Sequence, residues 1–338
     1  MRREQRVDVL LAASVTAGVL GQWLVTSYVV TDGLHVTSTP MALPEWAPVT
    51  WLLQTLPVFF FASGYACGEP RSAPPLRTVP AFLLAWAAGT AVLSVNGFSL
   101  ATIREILGSV LQPLWFLVPY LLLTAIAPWL RRAVLGHGWK AALVPALCVA
   151  VVDFLRFTWP SSGWLGYVNA VSVWAVPFLL GLAWRQRRIN GAWLLGGGGI
   201  LAAALIVLGA HPIGTAGVPM PDVAPPNAVL LAFGCAQCGL AALAGDRLGH
   251  RATGFRITAV ISDAAVPLYL WHQTALALIS LVTLRFGPIA GLTGQPTGAA
   301  WPALRLAWLP LCATVLIGLL VPASPPRPRR RLPRARHL

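Results

Sequence analysis

Residues 7–30, VDVLLAASVTAGVLGQWLVTSYVV, decide the fold. At about 1.5 Å per residue the run is long enough to cross the hydrocarbon core of a bilayer as a helix. It carries one acid, Asp8, at its mouth and one amide, Gln22, past its middle. No short apolar region with a small-residue cleavage site opens the chain, so the run is expected to stay as a helix and not to leave as a signal peptide.

The segments behind it repeat its character. With 57% hydrophobic and 10% charged residues and a mean hydropathy of +0.71, the chain is too apolar for a soluble fold. Its apolar runs are near 20 residues and do not alternate, which favours helices over a transmembrane barrel. Ten spans are expected, at 8–30, 48–67, 78–95, 112–130, 141–153, 166–184, 192–210, 227–244, 258–282 and 301–322, the ninth bent at Pro267. The fold class is therefore all-α, a polytopic membrane bundle of about ten transmembrane helices. Residues 1–322 form the transmembrane domain. Residues 323–338, rich in Pro and Arg, are expected to be a disordered tail lying on anionic lipid.

The net charge of +14 is explained by this topology. Assigning the loops to alternate sides places 20 of the 24 Lys and Arg residues on one side, from Arg2, Arg3 and Arg6 through Arg131, Arg185 and Arg247 to the tail. The other side receives Arg104, Arg156, Arg285 and Arg305. By the positive-inside rule both termini are cytoplasmic. The basic excess is topogenic, and nucleic acid is not an expected partner; membrane lipids are. The five cysteines fall in or beside spans, and the lone Cys235-x-x-Cys238 reads as thiols packed between helices, with no metal site expected. Few Lys against many Arg, Ala, Gly and Pro residues match a GC-rich bacterial genome, hence a bacterial plasma membrane.

Polar residues inside spans carry more information, because each must face protein or a water-filled cavity. Gln22, Gln54, Ser63, Gln112, Gln237, Asp263, His272 and Gln273 qualify. Asp153 and Arg156, three residues apart near an outer mouth, can pair on one helical face. Gln54 and Gln237 suit interhelical hydrogen bonds. His272 reads equally as a buried imidazole or as a working base. The outward segments hold Asp32, His35, Glu45, Arg104, Glu105, His211 and Asp222, and their Pro and Gly content predicts irregular structure. No internal repeat of the kind that halves a transporter is present.

Three pieces carry a family resemblance. LPVFFFASGYACG (56–68), QPLWFLVPYLLLTAIAPWL (112–130) and AVPLYLWHQTALALI (265–279) resemble, in order, the FFF-x-SG, LWFL and YL-x-H segments of the acyltransferase-3 family of membrane O-acyltransferases. VDFLRF (152–157) and WAVPFLLGLAW (174–184) are similar to a bacterial branch of that family. The resemblance implies a ten-helix domain that moves an acyl group, often acetyl from acetyl-CoA, onto a hydroxyl of a glycan, envelope lipid or small metabolite. The acyl-CoA is a substrate, and no bound cofactor is expected. The family's first span carries an Arg and, eleven positions on, a His. That interval returns both to one helical face about 16 Å apart. Here those positions hold Leu11 and Gln22. Leu cannot bind phosphate, and a carboxamide cannot take a proton near neutrality.

The resemblance therefore implies an enzyme with displaced groups. His272 is the expected base and Gln22 the residue that positions the acceptor hydroxyl. Arg6 with neighbouring cytoplasmic arginines holds the donor, Ser63, Trp115 and Asp153 shape the tunnel, and Asp8 and Arg156 complete the substrate-binding candidates. His35 is a further candidate approaching from outside. Two other readings fit the sequence: a catalytically silent relative that binds or conducts a lipid or glycan for a partner, and a small-molecule exporter.

Overall fold

The computed structural model describes residues 5–31, 33–43, 46–67, 78–159, 164–208, 227–248 and 256–320. Asp32, Glu45, His211, Asp222 and the tail 323–338 lie outside the described residues. Helix α1 spans Gln5–Val25, after which β1 (Thr26–Val30) pairs antiparallel with β2 (Leu34–Ser38). Short helices α2 (Thr39–Ala42) and α3 (Ala47–Leu52) lead into α4 (Leu56–Ala66). Then come α5 (Thr78–Val95), α6 (Leu100–Leu111), α7 (Leu114–Ala125), α8 (Ala127–His137), α9 (Leu143–Thr158) and α10 (Gly166–Arg185). The chain closes with α11 (Gly191–Val207), α12 (Ala228–Leu248), α13 (Arg256–Asp263), α14 (Ala265–Thr283) and α15 (Trp301–Leu320).

Among the described residues eight helical stretches are long and apolar enough to cross a membrane. The shorter apolar helices α4 and α11 fall on the remaining two of the ten expected spans. Leu84, Val95, Phe157, Trp193 and Val207 stand exposed on the outside of the bundle, a surface suited to lipid and not to water. The protein is an all-α polytopic membrane bundle.

Several boundaries differ from the sequence expectation. The first span ends at Val25 and not at residue 30, because TSYVV, rich in β-branched and aromatic residues, takes the extended form. The expected span 48–67 is broken between Leu52 and Leu56, so Gln54 sits in a turn, where its N–H bonds the Trp51 carbonyl. The outward segment expected to be irregular around Arg104 is the amphipathic helix α6, capped by Ser99, whose hydroxyl accepts from the Thr102 N–H at 3.1 Å. The ninth span breaks at Ala264. That leaves Pro267 in the first turn of α14, where its missing N–H costs no bond.

Contacts between helices fix their directions. Alongside α1, Asp8 accepts from Ser262 Oγ, Trp23 Nε1 donates to the His272 carbonyl and Thr26 Oγ1 accepts from Gln273 Nε2. The α13–α14 pair thus runs parallel to α1, as the first and ninth spans must. Thr55 Oγ1 donates to the Ser14 carbonyl, while Tyr65 meets Arg6, so α4 runs antiparallel to α1. Gly64 and Gly181 bring α4 and α10 into main-chain contact, since a Cβ on either would collide with the backbone of Phe178 or Phe61. One end of the bundle gathers Arg6, Tyr65, Arg185 and Asp246. The other holds the hairpin and Arg305.

Arg305 is buried, and its guanidinium spends its donors on backbone carbonyls: Nε on Trp23 (2.8 Å), Nη1 on Gly291 (3.1 Å) and Nη2 on Thr26. Two of those acceptors belong to the end of α1 and the residue just beyond it. A cation there compensates the negative pole of the helix. It also joins α1 to the loop after α14, where Val30 N–H bonds the Thr293 carbonyl.

Candidate functional site

The site is built around His272 on α14. The ring is buried, and its Nδ1 lies 2.6 Å from the Tyr269 carbonyl oxygen. A carbonyl only accepts, so Nδ1 carries the proton. In the neutral ring Nε2 then holds the lone pair, and it has no hydrogen-bond partner among the described residues. The Trp23 indole fixes the backbone here by donating to the His272 carbonyl at 2.8 Å. This leaves an unprotonated ring nitrogen held in a fixed orientation in the interior.

A narrow cleft adjoins that ring, lined by Gln22, Gln112, Pro113, Trp115, Tyr269 and His272. The structure thus brings together three residues expected from sequence: His272 on α14, Gln22 on α1 and Trp115 on α7. Gln112 enters from the junction of α6 and α7; its intramembrane amide was the signal for it, but its place beside His272 is visible only once α6 folds as a helix. Tyr269, the first residue of the YL-x-H stretch, closes the lining. A second small cavity, with room for about one water molecule, is lined by Ser14, Val15, Leu56, Phe59, Phe116 and Tyr269. Val15, Gly18 and Gln22 fall at helical intervals along α1, so both cavities lie on one face of that helix.

The remaining expected site residues lie elsewhere. Arg6 bonds the Tyr65 hydroxyl, sits 3.6 Å from Asp246 and stacks over the Tyr65 and Trp184 rings at 4.9 Å. Asp8 is buried, accepting from Ser262 Oγ at 3.1 Å. Ser63 is buried on α4 and lines neither cavity. Asp153 accepts from Asn169 Nδ2 (2.7 Å) and from the Ala228 N–H (2.6 Å), with Arg156 at 3.8 Å on the same helical face. Asp153 therefore ties α9 to α10 and to the start of α12. His35 Nδ1 meets Glu105 Oε1 at 3.0 Å, and Glu105 Oε2 accepts from the Val36 N–H, which docks the hairpin on α6. Leu11 is buried among apolar neighbours, its carbonyl accepting from Ser14 Oγ at 3.0 Å. Cys238 packs with its thiol toward the Pro57 carbonyl.

A polytopic helical bundle that buries a histidine beside two carboxamides and aromatic rings is, by its fold, an integral membrane protein of the all-α class. The family follows from comparison: the Acyl_transf_3 model, described as an acyltransferase domain, matches residues 28–323. The chain belongs to that family. The matched region starts beyond Leu11 and Gln22, so α1 stands outside it. No curated protein and no solved structure gives a match.

Proposed function

We propose that the protein transfers an acyl group, acetyl being the simplest, from acyl-CoA to a hydroxyl of a glycan, envelope lipid or small metabolite at a bacterial plasma membrane. The observation that carries this reading is His272 Nε2, unpartnered and buried beside the Gln22, Gln112 and Trp115 chamber in a chain of the acyltransferase-3 family. In the reaction Nε2 takes the proton of the acceptor hydroxyl as its oxygen attacks the acyl carbon. The new C–O bond forms, the C–S bond breaks, and the imidazolium returns the proton to the departing thiolate. The amide N–H groups of Gln22 and Gln112 are suited to stabilise the oxyanion that develops on the acyl oxygen. The Tyr269 carbonyl holds the ring in the required tautomer and stabilises the imidazolium. Arg6 and Arg185, at the end of α1 and α10 away from the hairpin, supply positive charge for the donor phosphates.

The test is untargeted mass spectrometry of envelope glycans, lipids and secreted metabolites from cells lacking the protein, complemented with it, or complemented with His272→Ala. An acyl mass shift is expected with the wild type and about 10²-fold less of it with the variant. Leu11 and Gln22, in place of a phosphate-binding Arg and a titrating His, favour a second reading, a silent relative that binds a lipid or glycan for a partner. Absence of any acyl shift with the wild type, or an undiminished shift with His272→Ala, rejects the displaced-base enzyme.

A further inference from the structure

Among the described residues, Tyr269 is the one side chain that lines both cavities. Its ring meets Phe116 edge to face at 4.5 Å and lies tilted against His272 at 5.1 Å. Across from it is Gly18 on α1, where an added Cβ would come 3.8 Å from Tyr269 Cε2. Gly18 stands between Val15, which faces the apolar cavity, and Gln22, which faces the polar one. The ring therefore occupies the place where the two spaces would otherwise join. Chemistry differs on the two sides: Val15, Leu56, Phe59 and Phe116 with the single hydroxyl of Ser14 on one, two carboxamides and an imidazole with Pro113 and Trp115 on the other.

We infer that Tyr269 is a positioning residue that partitions a single passage along α1 into two chambers. The apolar chamber takes the donor's acyl thioester end, and the polar chamber takes the acceptor hydroxyl beside His272. This assignment of chambers rests on the acyl-transfer reading; the partition itself does not. Its chemical purpose is the exclusion of water. A thioester waiting in the apolar chamber is shielded by the ring from water in the polar one until an acceptor fills it.

Two measurements test this on the full chain. For the first, Ser14→Cys and Gln22→Cys are each combined with Tyr269, Tyr269→Phe or Tyr269→Leu in sealed right-side-out and inside-out vesicles. A membrane-impermeant methanethiosulfonate is applied to one face, and the modified peptide is identified by mass, which separates the new thiol from the native cysteines. Position 14 is expected to react from one face and position 22 from the opposite face. Tyr269→Phe keeps that sidedness because it keeps the ring, and Tyr269→Leu loses it, both thiols reacting from both faces. Reaction of either thiol from both faces with Tyr269 in place overturns the partition, as does sidedness that survives Tyr269→Leu. The wild-type arm remains decisive if Tyr269→Leu does not accumulate.

The second measurement supplies acyl-CoA without an acceptor and follows free acid. In that side reaction the water oxygen bonds to the acyl carbon, the C–S bond breaks, and the proton leaves with the thiol. Tyr269→Leu is expected to raise acid release while transfer to acceptor falls about 10²-fold through lost alignment, and Tyr269→Phe to restore the wild-type ratio. Correct sidedness without any acyl chemistry rejects the enzyme and keeps the partition. An acid-to-transfer ratio that does not change in Tyr269→Leu rejects the role given to the ring.

Discussion

At the residue scale the site depends on what each buried polar atom is bonded to. His272 was legible in the sequence because an imidazole inside an apolar helix demands an explanation, and the structure gives it a fixed tautomer and an unpartnered Nε2. Gln22 was legible in the same way. Arg305 was not: counted by side, it is one of four outward charges, whereas its guanidinium is buried against the carbonyls of Trp23, Thr26 and Gly291. Nothing in a linear sequence says which carbonyls lie unpaired near a helix end. Arg6, expected from sequence to face the donor, stacks on Tyr65 and Trp184 beside Asp246, contacts a linear sequence does not reveal. For Gln112 the expected outcome is kinetic. If its amide supports the oxyanion, Gln112→Leu lowers kcat about 10²–10³-fold with little change in the acceptor KM. A change confined to KM would make it a binding group only.

At the element scale the apolar runs were readable and their backbone form was not. Hydropathy sees residues 7–30 as one stretch, yet the helix stops at Val25 because Thr26–Val30 pairs with Leu34–Ser38 and Arg305 holds the corner. The break before α4 was hidden for the same reason, since LLQTLP is apolar enough to read as helix on both sides of its turn. Glycine spacing, by contrast, acquires meaning only in contact. Gly181 is pressed against the Phe61 main chain, whereas Gly197 on α11 has nothing within 4 Å of where a Cβ would stand. Gly181→Ala is therefore expected to destabilise the protein by about 1–3 kcal/mol or more, as overpacking does. Gly197→Ala, which removes a flexible helix residue at no steric cost, is expected to be neutral or to stabilise by up to about 1 kcal/mol. Thermal unfolding in one detergent checks both, and equal shifts for the two variants would contradict the α4–α10 contact.

At the scale of the whole molecule the distribution of charge and the directions of the helices are two independent accounts of the same topology. The sequence assigns Arg6, Arg185 and Arg247 to one side by counting loops. The structure brings Arg6 into contact with Tyr65 at the end of α4 and with Asp246 near the end of α12, while Arg185 bonds the Tyr65 carbonyl. At the opposite end Arg305 starts α15 beside the hairpin, and Asp153 and Arg156 close α9 against the starts of α10 and α12. Ten crossings beginning at α1 reproduce every one of these placements; nine or eleven would put Arg305 and Arg6 at the same end. By the positive-inside rule the bundle is expected to lie with Arg6 toward the cytoplasm. Fusions give the check. Green fluorescent protein joined after Leu338 is expected to fluoresce and alkaline phosphatase at that point to be inactive. Phosphatase inserted at Gly33, in the turn of the hairpin, is expected to be active. Phosphatase activity at the C-terminus would reverse the last crossing, remove Arg305 from the outward side, and break the agreement between the charge count and the contacts that Arg305 makes with the end of α1.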